Sequence, residues 1–191
     1  MSDDVSSTPI PRPVDDPEPV PAETRDWTFV LNTGCPECGW NQWPDVDSLR
    51  EAWDRNVAVW PDLVTATASS ARPDDHTWSA LEYGSHVRDM IRLLRIRASM
   101  MVQRHDPEFF NWDGDGANVV RRDWATDPQA LAQDLRRAAE ETEAFLDALT
   151  PEQLERTGRR GDGAPFTVFT LWQYMGHDVE HHVWDVVGKR A

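Results

Sequence analysis

The sequence predicts an all-α chain built as a four-helix bundle. Four long stretches carry apolar residues at three- and four-residue steps, helix-start signals stand at the head of two of them, and nothing argues strongly for a sheet. The Ser79 and Glu82 spacing fits a capping box, and Asp127 followed by Pro128 suits an N-cap and first helical position.

Residues 1 to 26 hold six of the fourteen prolines and seven acidic residues. With so little to bury, this segment is expected to be a disordered acidic tail, which leaves 27–191 as a single helical domain. The text then turns to DWTFVLNTGCPECGWNQWPDV, rich in aromatics and turn residues, and reads as an ordered loop packed on the body. The first helix, 46 to 68, places Leu49, Trp53, Val57, Trp60 and Val64 on one face and is expected to bend or divide at Pro61, which lacks an amide donor. The second, 78 to 104, carries Leu81, Met90, Leu93, Leu94 and Met101. A connection longer than a helix hairpin uses follows, so it is expected to cross the bundle and wall a pocket. The third helix, 128 to 149, repeats Leu131, Leu135, Ala138, Thr142, Phe145 and Leu149. After a TPEQL turn and the glycine-rich GRRGDGAPF, the fourth runs from 167 to 187.

With 34 acidic and 19 basic residues the formal charge is -15, so most of the surface repels a phosphate backbone and nucleic acid is not an expected partner. No apolar run approaches the ~18 residues of a membrane span, and the N-terminus lacks the basic start and apolar segment of a secretory signal. A soluble, cytoplasmic protein without a membrane partner is expected, as a monomer or homodimer, with Cys35 and Cys38 kept as thiols or given to a metal.

Three of the six histidines crowd into GHDVEHHVWD on the fourth helix. His177 and His181 are four apart and stack on one face about 6 Å from each other, on a stripe with Thr170, Tyr174 and Trp184 that faces the interior. Either each imidazole donates to a carboxylate or carbonyl in the core, or the pair shares a metal. The second helix offers His86 as a third ligand. Three imidazoles with open positions suit a catalytic divalent metal, zinc first, with nickel or iron as alternatives. Asp89, Asp178 and Asp185 stand where partners of the ligands are expected, and Glu82 is either a helix cap or an additional ligand. His182 is assigned to the surface or to the ligands' surroundings. His76 and His105, beside helix ends, need no special role, and Arg88 or Arg92 can meet an anionic group.

WSALEYGSHVRDM, a long crossover and FTVFTLWQYMGHDVEHHVWDV together resemble the DinB-like superfamily, in its actinobacterial branch close to mycothiol-dependent maleylpyruvate isomerases, over roughly residues 46 to 188. The resemblance implies a four-helix bundle with a long crossover between its second and third helices. It also implies a metal held by one histidine of the second helix and an HxxxH pair of the fourth, here His86, His177 and His181. It further implies mycothiol or a similar small thiol as cosubstrate, activated by the metal to attack an electrophile or assist isomerisation.

TGCPECGW departs from the simplest pattern of that family. Its CPxCG knuckle is of the type used in zinc ribbons, but a tetrahedral site needs two further ligands, and no second CxxC exists, which leaves His76 or His105 to complete it. Otherwise the cysteines form a redox pair, pack as small buried thiols, or fold over the bundle end to reach the histidine-bound metal. Two functions follow: a metal-dependent thiol S-transferase or isomerase, or a non-catalytic metal-binding stress or redox-sensing protein in which Cys35 and Cys38 close the site or form a redox pair.

Overall fold

Four amphipathic helices bury a common core in the computed structural model, which describes residues 16–188. In chain order, a turn of 3-10 helix at Trp27–Phe29 leads into α1 (Val30–Thr33), followed by α2 (Val46–Thr65), α3 (Ala80–Gln103), β1 (Glu108–Phe109), α4 (Gly114–Arg121), α5 (Pro128–Asp147), α6 (Pro151–Leu154), β2 (Thr157–Arg160), β3 (Pro165–Thr167) and α7 (Val168–Val187). The bundle is α2, α3, α5 and α7, and α2 and α3 each pack chiefly against α5 and α7. The connection from α3 to α5, residues 104–127, is the long one that the sequence implied.

The caps set the helix starts. Asp45, Asp127 and Thr167 accept from backbone amides three residues ahead, and Ser79 with Glu82 forms the reciprocal capping box of α3. α2 runs unbroken through Pro61, where two pieces or a bend were expected. The missing amide costs a single intrahelical bond, and the proline ring is buried. Trp53, Trp60, Trp172, Ile91, Leu94 and Leu131 are among the fully buried side chains. Truncating one such tryptophan to alanine is expected to cost about 3–5 kcal/mol. Helices α2 and α3 touch at Gly84, where a Cβ would lie 2.3 Å from Val64 Cγ1.

Two short features lie outside the sequence expectation. The crossover contains α4, capped by the Asp113 side chain. Residues 157–167 form a hairpin, β2 antiparallel to β3, and β1 adds to β2 in parallel to complete a three-stranded sheet. Strands of two to four residues are too short to show an alternating pattern.

Of the segment expected to be a disordered tail, residues 1–15 lie outside the described residues. Residues 16–26 have no regular structure but run along the bundle, because arginines on the body find partners in them: Arg122 pairs with Asp16, and Arg72 donates to the Glu18 carbonyl at 2.6 Å. Among the described residues no helix is long and apolar enough to cross a membrane.

Candidate functional site

The chemistry collects at one end of α7, where two pairs of side chains with helical i,i+4 spacing lie one residue out of step. A residue's step of about 100° turns Asp178 and His182 to a different neighbour from His177 and His181. Two clusters of donor atoms result: Cys35, Cys38, His177 and His181, all buried, and His86, Asp178 and His182, each partly buried. The three histidines expected to act together are thus divided: His177 and His181 stand with the cysteines, while His86 stands with Asp178 and His182.

His86 projects from α3 with its Nε2 3.3 Å from Asp178 Oδ1, and His182 Nε2 is 3.7 Å from the same oxygen. Trp78, Trp112 and the ring of His182 surround the His86 imidazole at centroid distances of 5.5, 5.2 and 4.9 Å. His182 is held by Asp185, whose carboxylate lies 2.7 Å from Nδ1. That carboxylate accepts a hydrogen bond from Nδ1–H, so in the neutral imidazole Nε2 carries the lone pair, on the side of Asp178 and His86. Burial opposes charge on Asp178, but His86 and His182 outweigh it and hold its carboxyl below the usual range. Burial likewise opposes protonation of His182, and Asp178 and Asp185 overcome it and raise its pKa. Gly114, at the start of α4, is required by close approach: a Cβ there would sit 2.9 Å from His86 Nδ1.

Both ring nitrogens of His86 and Oδ1 of Asp178 are buried without a well-formed hydrogen bond. Orphaned buried donors and acceptors are costly, at about 1–3 kcal/mol each, so their convergence needs a reason. Two imidazoles and a carboxylate match the donor set of zinc and of non-haem iron sites that leave coordination positions open. The cluster borders a cavity of about 610 Å³ that is also lined by Arg97, Arg160 and Tyr174.

The second cluster is built by the loop after α1. Gly34 and Gly39 adopt positive φ, of 72° and 71°, and flank the cysteines. The Cys35 amide donates to the Trp40 carbonyl at 2.8 Å and closes the knuckle, which a side chain at Gly34 would block. Val30, Cys35, Cys38 and Trp40 form a small core of their own, roofed by Trp27 and Trp184. Cys35 Sγ lies 3.6 Å from His181 Nδ1, and the Trp27 ring stands 4.8 Å from that of His181 and 5.5 Å from that of His177. Burial pushes the Cys38 thiol up to about 12 and, with neighbouring His181, pushes His177 down to about 3; burial also lowers His181.

The remaining candidates have other partners. Glu82 is 0 % exposed and held by its own N-cap and by a two-point ion pair with Arg72. Asp89 pairs with Arg88 and Arg121, and Arg92 with Asp134. Among the described residues neither His76 nor His105 belongs to a donor cluster. The sequence reading passed over Arg97. It is 5 % exposed, gives one hydrogen bond to the Phe110 carbonyl at 3.1 Å, lies over the Phe109 ring at 4.9 Å, and has no ion pair among the described residues. Burial first, and then the charge of Arg160, lower its pKa to about 10, so it stays charged at neutral pH. Its signal was positional: it falls on the apolar stripe of α3, seven residues after Met90 and four before Met101.

A bundle with a long crossover and donor clusters centred on its last helix defines a class, and the comparisons agree with it. The DinB superfamily model matches residues 48–186, and the chain belongs to that superfamily. Among solved structures it is similar to YfiT from Bacillus subtilis, described as a probable metal-dependent hydrolase with an unusual four-helix bundle topology; identity is 17%, the TM-score is 0.65, and the match covers 78% of this chain and 90% of that one. No curated protein matches the chain.

Proposed function

We propose that this chain is a metal-dependent enzyme in which His86, Asp178 and His182 hold a divalent ion, zinc first, with nickel or iron as alternatives, and present it to a small thiol or water and an anionic electrophile. The observation that carries this reading is the convergence, at the wall of the cavity, of buried His86 and Asp178 donor atoms that lack a well-formed hydrogen bond among the described residues. A divalent ion there supplies a lowered pKa for a bound thiol or water, so that a nucleophile exists at neutral pH. Asp185 fixes the His182 tautomer, and the rings of Trp78 and Trp112 restrict how His86 can turn. Arg97 is the anion-binding group, because a buried guanidinium without a carboxylate partner is costly until an anion joins it. A thiol of the mycothiol type is the expected cosubstrate, and the activity is an S-transferase or isomerase reaction rather than simple hydrolysis.

The test separates thiol from water. The Cys35→Ser/Cys38→Ser chain is loaded with cobalt(II), then titrated with mycothiol while the absorption spectrum is recorded. A new sulfur-to-cobalt charge-transfer band, absent when Asp178→Ala/His182→Ala is added to the same background, supports thiol activation. Cobalt bound without any response to thiol points to water as the nucleophile, and no cobalt bound through these three residues overturns the reading.

A further inference from the structure

We infer that Cys35, Cys38, His177 and His181 form a second and separate metal site, a closed tetrahedral site for zinc that staples the 34–40 loop onto α7. One ligand atom from each residue lies within 4.8 Å of every other, and the four side chains are buried. Bond lengths of about 2.3 Å to sulfur and about 2.0–2.1 Å to nitrogen place sulfur and nitrogen about 3.5 Å apart around a tetrahedral zinc. Cys35 Sγ and His181 Nδ1 stand at 3.6 Å, close to that value.

The surroundings are built for that ion as well. His177 is 3 % exposed and its Nε2 has no hydrogen-bond partner. His181 turns Nδ1 to the sulfur and Nε2 toward the carboxylates of Glu37 and Asp185, each 3.7 Å away, which orient the ring in the manner usual for a ligating histidine. The Trp40 backbone N–H donates to the Cys38 sulfur, and positive φ at Gly34 and Gly39 shapes the turn that aims both sulfurs inward. Two thiolates and two neutral imidazoles balance the charge of one zinc ion, and the two thiol protons leave to solvent on binding. The cysteines do not line the cavity, although His177 and His181 reach its wall, and four protein donors fill a tetrahedral zinc and leave no position for substrate, so this site is structural.

The test is made on the full chain, purified without added metal and then exchanged into cobalt(II). The expected spectrum has intense ligand-field bands of tetrahedral cobalt and a charge-transfer band from endogenous thiolate. Both are lost in Cys35→Ser/Cys38→Ser and kept in His86→Ala/His182→Ala, and the zinc equivalent bound through thiolate is missing only from the former. A cobalt-loaded wild-type chain lacking the thiolate band, with both cysteines titrating as accessible thiols, would overturn the assignment whatever the variants do. Recovery of the wild-type chain with a Cys35–Cys38 disulfide and no zinc would overturn it in favour of a redox pair. Neither result touches the site at His86.

Discussion

The two clusters on α7 differ in one residue of register and in everything that follows from it. At positions 177 and 181 the helix meets the cysteine loop, and four donors of two chemical kinds stand among Trp27, Trp40 and Trp184, with the two histidines reaching the wall of the cavity and the cysteines behind them. At 178 and 182 it meets α3, and three donors border a cavity. A closed set stabilises, whereas a set with donors missing can accept a ligand. On the proposed assignment a single helix carries a staple and a reactive centre, and Asp185 is shared, 3.7 Å from His181 Nε2 and 2.7 Å from His182 Nδ1.

The comparison breaks most visibly in stability. Stripping zinc with a strong chelator, or making Cys35→Ser/Cys38→Ser, is expected to lower unfolding free energy by about 4 kcal/mol relative to the chain at free zinc a thousandfold above its Kd. Denaturant melts with and without chelator measure this. His86→Ala should reproduce little of it, and equal losses from both variants would erase the distinction between staple and centre. The shared carboxylate gives the next effect. Asp185→Asn keeps the shape but loses the charge that orients both imidazoles, so metal affinity should fall about 10- to 100-fold at the open site, and by less at the closed one, where Glu37 also faces His181. Competition titration with a coloured chelator resolves the two.

Smaller changes sharpen the open side alone. Gly114→Ala pushes a methyl group to within 2.9 Å of His86 Nδ1, and tilting the ring off its rotamer costs about 0.5–1.5 kcal/mol, or up to about tenfold in metal affinity there. The thiolate spectrum of the closed site should not move. Arg97→Gln is the mildest for the fold: removing a buried charge that lacks a counter-ion should leave the melting midpoint unchanged or slightly higher, while weakening any anionic ligand of the cavity. A large drop in the midpoint would show that Arg97 serves the core instead.

Helix periodicity made the bundle legible, because Leu49, Trp53, Leu94 and Leu131 mark their faces plainly and Ser79 and Asp127 mark two of the starts. The site was legible in its residues but not in its pairing. HDVEHH offers an HxxxH and a DxxxH in adjacent registers, and which one meets His86 depends on the rotation of α7 against α3, a property of packing that spacing does not encode. The CPxCG loop had no second half within the sequence around it, since the histidines that stand beside it lie about 140 residues away on α7. Arg97 was hidden on an apolar stripe, and the short strands were hidden by their length.

The central claim is that α7 carries two metal sites and not one. Native mass spectrometry of the zinc-reconstituted full chain, beside Cys35→Ser/Cys38→Ser and His86→Ala/His182→Ala, tests it most directly. Two zinc ions on the wild type and one on each variant are the expected masses. A single zinc on the wild type that disappears from both variants would contradict the account, because it would mean that the cysteines and His86 serve one shared ion.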